Sequence, residues 1–277
     1  MSATTRASLA ILPAALALAG ACSSQNATVL NLAKDHSATD TAGATDTDTT
    51  TPAASLPFSD DFSLGYAHTW QTASGDGPVA DATDGGNAIA VLDASDNDFS
   101  RLRCNTGGDH YTAEDLTASM RVRIERAPTS SRTVRLDVRQ SATSQNIFYA
   151  AGATVDKRDG SITDVGIYKK VDDGTGTKSY TICALETAAL AQTIPVGRWF
   201  TLKLAVSGST SVHLVAAIDY LGTTQVVTHD DDCTSPLAST ANDKVPNGGC
   251  LNGQAGLGIQ VEGGIKASVD DVLVEAL

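Results

Sequence analysis

The chain has 277 residues, with 19 Lys and Arg against 32 Asp and Glu, which gives a formal net charge of −13. Its length allows one large all-β domain or two ordinary domains, and its hydrophobic fraction of 42% is enough to bury a core. The absence of a basic block argues against a nucleic-acid-binding protein, because phosphate contacts need clustered positive charge. No apolar run of about 20 residues follows the N-terminus, which argues against an integral membrane protein.

The first 21 residues have the pattern of an export signal. Arg6 is followed by an apolar run that ends at Leu18, and small residues then lead to Cys22. The run is too short for a permanent membrane span but has the length of a signal-peptide core. A cysteine after small residues resembles the lipobox of bacterial lipoproteins, whose cysteine is lipidated and becomes the mature N-terminus, although Leu18 lies one position further from it than usual. An ordinary secretory peptide cut near Ala21 is the alternative.

Residues 22–56 predict a disordered tether. The stretch 37–55 is mostly Thr, Ala and Asp, so it has too little apolar surface to offset the entropy lost on ordering. A flexible chain of about 34 residues spans about 30 Å on average, enough to hold a domain off a membrane. Ser23 after the lipidated cysteine implies, by the same resemblance, the bacterial outer membrane or cell surface. The membrane would then be contacted through the lipid only.

Residues 57–277 show apolar residues at alternate positions, the period of strands with one buried and one solvated face. Polar turn clusters such as Asp159-Gly160 separate the runs. Many short strands with polar turns predict an all-β, antiparallel β-sandwich over 57–277. The clearest runs are 116–124, 134–138, 200–206, 212–218 and 257–261.

Four cysteines follow Cys22, an even number that predicts disulfides in an oxidising compartment. Cys233 and Cys250 bracket a Pro- and Gly-containing loop with little core of its own, which a bridge would stabilise. That leaves Cys104 to pair with Cys183 from a neighbouring strand. No C-x-x-C pair is present, which argues against a zinc or redox motif.

Several short motifs recur in a particular order along 57–277. They are Phe58-Ser59-Asp60-Asp61-Phe62 with Trp70, Gly197-Arg198-Trp199 before an apolar strand, Gly256-Leu257-Gly258, and Ser268-Val269-Asp270-Asp271-Val272 near the end. This order resembles the concanavalin A-like lectin/glucanase superfamily of jelly rolls, which includes LamG-like and laminarinase-like domains. The resemblance implies a jelly-roll sandwich with both tryptophans in structural positions. It implies no single activity, because the superfamily includes lectins, carbohydrate-binding modules, glycosidases and polysaccharide lyases.

The carboxylates lack the pattern of a glycosidase of that superfamily. Such enzymes carry two or three carboxylates as E-x-D-x-E or E-x-D-x-x-E, which places acid and nucleophile on one face of a strand. Here Glu114 and Asp115 are adjacent and so point to opposite faces, and Glu262 stands alone. The sequence therefore disfavours a retaining glycosidase of this type.

Arginines concentrate in two successive predicted strands, and tyrosines follow on the next strands. The Arg-x-Asp-x-Arg spacing resembles the arginine–acid–arginine strand of alginate-lyase-like jelly rolls, but that family's Q-x-H and C-terminal tyrosine motifs are absent. A lyase needs a cation near the uronate carboxylate and a residue that transfers protons. The same side chains can instead form a solvated face paired across strands, or a groove for an acidic glycan. The candidate carbohydrate-binding residues are Arg121, Arg123, Arg135, Asp137, Arg139, Tyr149 and Tyr168.

Two aspartate pairs predict a calcium site. The first and last strands of such sandwiches often lie side by side, which would bring Asp60 and Asp61 near Asp270 and Asp271. The apolar alternation shifts phase at the second pair, which predicts a β-bulge there. Carboxylate oxygens suit calcium, and capping of turns is the alternative role.

Together these features predict an exported, lipid-anchored surface protein whose sandwich binds a polysaccharide or surface glycan without catalysis. One alternative is a polysaccharide lyase or hydrolase that uses the Arg- and Tyr-rich face. Another is a structural or adhesion protein of the cell envelope.

Overall fold

The structure, a computed structural model, describes residues 23–25, 56–72, 76–96, 98–104, 115–140, 147–172, 180–238, 244–251 and 256–277. These residues form β-strands and one short 3-10 helix, Tyr66–His68. The strands are β1 (Ser23–Gln25), β2 (Phe58–Asp60), β3 (Trp70–Gln71), β4 (Val79–Asp84), β5 (Asn87–Asp93), β6 (Phe99–Cys104), β7 (Leu116–Arg126), β8 (Arg132–Gln140), β9 (Phe148–Val155), β10 (Ile162–Asp172), β11 (Tyr180–Ile194), β12 (Trp199–Ser207), β13 (Val212–Tyr220), β14 (Thr223–Asp231), β15 (Leu237–Ala238), β16 (Lys244–Val245), β17 (Gly256–Glu262) and β18 (Lys266–Ala276).

Two large antiparallel sheets pack face to face. Sheet one has the strand order β1-β11-β10-β9-β8-β17-β6-β3. Sheet two has the order β14-β13-β12-β7-β18-β5-β4, with β2 also paired to β18. A small third sheet joins β15 to β16. The prediction of an all-β antiparallel sandwich is confirmed.

The core lies between the two sheets, where the apolar side chains of each alternating strand meet. Leu136 and Ile259 of sheet one and Met120 and Leu202 of sheet two are fully buried in one continuous cluster. Trp70 is buried in the same cluster, and its indole nitrogen donates a hydrogen bond to Asp60. Trp70 therefore has the structural position that its motif predicted.

Consecutive strands β7 and β8 belong to different sheets. The connection 127–131 carries the chain from sheet two to sheet one. Because outward side chains then lie on opposite surfaces of the sandwich, the arginines of β7 and those of β8 do not share a face.

The Cys233–Cys250 disulfide is confirmed. The predicted pairing of Cys104 with Cys183 is wrong, because Cys104 is on β6 and Cys183 is on β11, and four strands of sheet one separate β6 from β11. At about 4.8 Å between neighbouring strands, these cysteines lie on the order of 24 Å apart. A disulfide requires Cα atoms within about 7 Å of each other.

The predicted signal segment, Cys22 and nearly all of the predicted tether lie outside the described residues. Ser23–Gln25 is the exception, since it forms the edge strand β1 against Tyr180, Thr181 and Ile182 of β11. The domain boundaries at 21 and 56 therefore stay predictions. Among the described residues, no helix combines the length and apolar character that a membrane crossing requires.

Candidate functional site

The candidate site is the surface of sheet one that points away from the core, which we call the outer face of sheet one. Most outward faces of such sandwiches are solvated, yet here the polar side chains are buried, with Arg135 only 1% exposed and Gln260 only 2% exposed. The polar and aromatic residues of the outer face of sheet one used below are Arg101, Arg103, Arg135, Asp137, Phe148, Tyr168, Lys170, Gln260 and Glu262.

Tyr168 lies over two glycines at the centre of this face. Gly152 of β9 and Gly166 of β10 are directly opposite each other in the ladder. A Cβ atom added to Gly152 would be 2.6 Å from Cε2 of Tyr168, and one added to Gly166 would be 2.9 Å from the same atom. The two missing side chains therefore make the recess that holds the phenol ring against the sheet. Phe148 packs beside the ring in a small apolar cluster separate from the main core.

Only one edge of the Arg135 guanidinium has hydrogen-bond partners among the described residues. Its Nη1 donates hydrogen bonds to Glu262 and, at 3.0 Å, to Oγ1 of Thr133. Its Nε and Nη2 have no hydrogen-bond partner among the described residues, and neither do Oδ1 of Asp137 and Nε2 of Gln260. Arg135 Nε and Asp137 Oδ1 are 3.9 Å apart, beyond hydrogen-bond distance. Buried polar atoms without partners cost free energy and are rare, so this cluster is unusual for the outward side of a sheet.

Burial and neighbouring charges shift the pKa values of this face. Burial raises the pKa of Asp137 to about 6, although Arg135 and Lys170 oppose that shift. Burial, aided by Arg135 and Arg101, lowers the pKa of Lys170 to about 7. Burial would raise the pKa of Glu262, but Arg135 and Thr133 favour its charged form and the net shift is downward. One carboxyl group and one amine of the face therefore titrate near neutral pH.

Arg121 and Arg123 lie on the opposite surface of the molecule, the outer face of sheet two. Their guanidinium carbons are 4.9 and 4.8 Å from the ring centroid of Trp199. Arg123 also forms ion pairs with Asp84 at 2.7 Å and with Glu125 at 2.6 Å. These two arginines therefore match the alternative role considered for them, a solvated face whose charges are paired across strands. Trp199 is half-buried on this surface and lies outside the core.

Arg139 and Tyr149 are not on the outer face of sheet one, which corrects the prediction that they join Arg135 and Asp137. Arg139 has a φ of 48°, which breaks the alternation of β8, and its guanidinium donates to the carbonyl of Gly208 at 2.8 Å. Tyr149 points into the core between the sheets, where its hydroxyl donates to Asp231 at 2.7 Å. Of the predicted carbohydrate-binding residues, the structure brings together Arg135, Asp137 and Tyr168.

A second buried polar cluster lies on the inner side of sheet one. Nζ of Lys169 donates to Asp231 at 2.8 Å and to the carbonyl of Gly249 at 2.8 Å. Asn247 donates to Asp231 at 2.9 Å, and the backbone N–H of Cys233 donates to the same carboxylate oxygen. These bonds attach both ends of the disulfide loop to the sandwich, and the cluster therefore has a structural role.

The aspartate pairs take the backbone positions that were predicted. Strand β2 lies beside β18, and a bulge at Asp270 and Asp271 is confirmed by the register shift there and by a φ of 45° at Asp271. Asp60 accepts from Trp70, and Asp270 accepts from Asn87 at 2.6 Å. Within the described ranges, no three His, Cys, Asp or Glu side chains form a group that could hold a metal ion. Calcium at Asp60, Asp61, Asp270 and Asp271 stays a prediction.

Sequence reasoning missed the partners that define the candidate site. Lys170 and Gln260 lie on strands far from β8 in the chain, and only the strand order brings them to one face. A usable signal was present in Gly152 and Gly166, because a glycine inside an apolar strand often marks a close approach of another group.

No family model matches the chain, and no curated protein matches it. Among solved structures, a glycoside hydrolase family 16 endo-glucanase from Bacteroides ovatus is similar over 78% of this chain and 99% of its own, with 11% identity and a TM-score of 0.52. Carbohydrate-binding module CBM66 from Bacillus subtilis matches over 81% and 100%, with 17% identity and a TM-score of 0.42. An endo-β-1,4-glucuronan lyase from the fungus Trichoderma reesei matches over 79% and 95%, with 12% identity and a TM-score of 0.44. The first of these likenesses shows that the chain has a concanavalin A-like jelly-roll fold.

Proposed function

We propose that the outer face of sheet one binds a polysaccharide or surface glycan without catalysis. The observation that carries this proposal is the ring of Tyr168, which is 8% exposed in a glycine recess beside polar atoms of Arg135, Asp137 and Gln260 that have no partner among the described residues. Stacking of a sugar on this ring requires the ring to become more exposed. Sugars present both apolar C–H faces and hydroxyl groups, so a site for them combines an aromatic ring with a few placed polar groups. The lectin and carbohydrate-binding uses of this fold support the proposal by analogy only.

The contacts of Glu262 favour binding over glycoside hydrolysis. One oxygen of its carboxylate accepts from Nη1 of Arg135, and the other accepts from the backbone N–H and the hydroxyl of Thr133. A glycosidase needs a second carboxylate that is available as nucleophile or base beside its acid. With both of its oxygens engaged, Glu262 is not available as that group beside Asp137.

The proposal is tested by affinity electrophoresis of the exported protein in gels that contain neutral or uronate polysaccharides, with and without calcium. We expect retardation by at least one polysaccharide and its loss in Tyr168→Ala. Arg198→Gln, in the exposed turn before β12, is the matched control and should be retarded like the parent protein. Absence of retardation throughout the panel would overturn the proposal and favour a structural or adhesion role.

A polysaccharide lyase or hydrolase is the second candidate. It is favoured by the burial of Asp137 and Lys170 on the face that carries Tyr168, which shifts their pKa values to about 6 and about 7, since a general acid or base works best near the operating pH. Release of unsaturated uronate products or of reducing ends, abolished by Asp137→Asn, would support it. Substrate retardation without either product would support binding alone.

We also propose that the protein is exported and anchored at the bacterial outer membrane or cell surface through lipid on Cys22. The apolar segment before Cys22 and the small residues beside it support this proposal. Metabolic labelling with a radioactive fatty acid should mark the parent protein and leave Cys22→Ser unlabelled. Equal labelling of both proteins, or of neither, would contradict the lipid anchor.

A further inference from the structure

We infer that Lys169 and Asn247 form an intramolecular isopeptide bond, with loss of ammonia and with Asp231 as the group that transfers protons. This inference assigns a covalent modification to the buried polar cluster on the inner side of sheet one. It is independent of the proposed glycan binding, which concerns the opposite side of that sheet.

The amine and the amide are already in contact. Nζ of Lys169 donates a hydrogen bond to Oδ1 of Asn247 at 2.5 Å. Because a C=O bond is about 1.23 Å long, Nζ lies no more than about 3.7 Å from Cγ of Asn247, the carbon that an amine attacks. Groups held about 3–3.5 Å apart in the right orientation react much faster than the same groups free in solution. The two side chains are therefore close to the separation of a reacting pair.

Asp231 contacts both the nucleophile and the leaving group. Its Oδ2 accepts from Nζ of Lys169 at 2.8 Å, and its Oδ1 accepts from Nδ2 of Asn247 at 2.9 Å. The hydroxyl of Tyr149 donates to Oδ2 at 2.7 Å, and the backbone N–H of Cys233 donates to Oδ1 at 2.9 Å, so the carboxylate is fixed at both oxygens. A group within hydrogen-bond distance of both nitrogens can act as general base and then as general acid.

The cluster is closed to water, which favours uncharged forms. Lys169 is 0% exposed, Asp231 2% and Asn247 5%. Burial lowers the pKa of Lys169, although Asp231 opposes that shift. Burial would raise the pKa of Asp231, but the hydrogen bonds that it accepts from Lys169 and Tyr149 lower it overall. The pair therefore starts as ammonium and carboxylate, and the first step is a proton transfer that burial favours because it makes both groups neutral.

The fold fixes both reacting side chains. Lys169 lies within β10, which is paired on both sides, with β9 and with β11. Asn247 lies in the loop closed by the Cys233–Cys250 disulfide, and its Nδ2 also donates to the carbonyl of Ser235 at 3.1 Å. The amine and the amide therefore meet in the folded protein without a further conformational change.

The reaction balances without another reactant. Nζ of Lys169 passes a proton to Asp231, and the neutral amine attacks Cγ of Asn247, which forms the Nζ–Cγ bond and moves the carbonyl electron pair onto Oδ1. Asp231 then donates its proton to Nδ2 and takes one from Nζ. The Cγ–Nδ2 bond breaks as the carbonyl re-forms, and ammonia leaves. The products are one secondary amide, one ammonia molecule and a protonated Asp231, and no group is oxidised or reduced.

The bond would add a second covalent link beside the disulfide. Residues 169 and 247 are 78 positions apart in the sequence. A link across that distance restricts the unfolded chain and so stabilises the folded one. A chain that has not reacted keeps the buried ion pair of Lys169 with Asp231. The covalent mass therefore distinguishes the two forms.

The decisive measurement is peptide mapping by mass spectrometry of the exported protein carrying Cys22→Ser, held until its mass is constant, then reduced and digested with trypsin. We expect residues 159–170 joined to residues 245–266, in one species lighter than the sum of the two peptides by one ammonia molecule. Recovery of these segments from the parent protein only as separate peptides, with cleavage after Lys169, would overturn the isopeptide bond. The parent digest decides this point whether or not any variant folds.

Variants identify the reacting groups. Lys169→Arg keeps a buried cation that does not lose its proton, and Asp231→Asn removes the proton carrier, so both should lack the joined peptide. Lys157→Arg changes an exposed lysine in the turn after β9 and should form it like the parent protein. An equal yield of the joined peptide in folded Asp231→Asn would overturn the role of Asp231.

The sequence Asn247-Gly248 offers another route by which ammonia can be lost, the cyclisation of the asparagine onto the next backbone nitrogen. That reaction involves no lysine, so it would appear within residues 245–266 alone, in the parent protein and in Lys169→Arg alike. Such a loss without a joined peptide would overturn the isopeptide bond.

Discussion

Single residues determine the shape of the outer face of sheet one. Tyr168 lies against the sheet because residues 152 and 166 have no side chains, and Arg139 leaves the face because its φ is positive. Both effects arise from backbone features, which a pattern of polar and apolar residues does not reveal. Prediction from alternation therefore placed Arg135 and Asp137 together correctly but included Arg139.

Filling the recess tests the role of the glycines. Gly152→Ala places a methyl group 2.6 Å from Cε2 of Tyr168, so the ring must move. We expect a loss of about 1–3 kcal/mol in the free energy of unfolding, the usual cost of overpacking, measured by urea denaturation. In a Tyr168→Ala background the same change should be neutral or stabilising, because alanine is favoured over glycine in a strand. An equal loss in both backgrounds would show that the ring does not occupy the recess.

The raised pKa of Asp137 predicts that the stability of the protein depends on pH. Its pKa is raised by burial to about 6 from 3.8, so its neutral form is favoured in the folded state and stability declines as the pH rises from about 4 to above 6. The difference in unfolding free energy between the parent protein and Asp137→Asn should therefore fall, by on the order of 3 kcal/mol, between pH 4 and pH 7. A difference that rises or stays constant would mean that Asp137 is ionised in a compensating ion pair.

At the scale of elements, alternation predicted the strands and the bulge at Asp270, and the resemblance to the jelly-roll superfamily predicted the contact between β2 and β18. It did not predict which sheet each strand joins. Strands β7 and β8 are consecutive in sequence yet lie in different sheets, and β6 and β11 lie near opposite edges of sheet one. Strand order follows from packing between distant segments. No local signal in the sequence could therefore have corrected the predicted Cys104–Cys183 pairing or the predicted grouping of Arg121 with Arg135 on one face.

Removal of the disulfide between Cys233 and Cys250 should lower the stability of the protein. Their bridge closes a loop with a sequence separation of 17, and its removal by the double change to serine should cost about 3 kcal/mol in unfolding free energy. Peptide mapping without reduction should recover the Cys233–Cys250 link and no link between Cys104 and Cys183. Recovery of the second link would contradict the strand order of sheet one.

The buried ion pair between Lys169 and Asp231, beside the disulfide loop, gives a second prediction. Lys169→Met leaves the carboxylate of Asp231 buried with no cation, and we expect a loss of about 3–5 kcal/mol in unfolding free energy. Adding Asp231→Asn should restore part of that loss, since the uncompensated charge is removed. A purely additive double variant, measured by urea denaturation, would mean that the two groups do not interact.

For the whole molecule, the two outer faces differ in how their polar groups are satisfied. On sheet two, Arg121 and Arg123 are stacked on Trp199 and ion-paired, so their charges are balanced within the protein. On sheet one, Arg135 and Gln260 are buried with unused donors. The fold class could be predicted from the sequence. Selecting sheet one as the candidate glycan-binding sheet required knowing which distant strands lie side by side.

The measurement that tests the central claim most directly is affinity electrophoresis of the parent protein, Tyr168→Ala and Arg198→Gln against the same polysaccharide panel. Binding at the outer face of sheet one predicts that the parent and Arg198→Gln proteins are retarded equally by a polysaccharide and that folded Tyr168→Ala is not. Equal retardation of all three proteins would place the glycan on another surface. No retardation of the parent protein by any polysaccharide would contradict glycan binding itself.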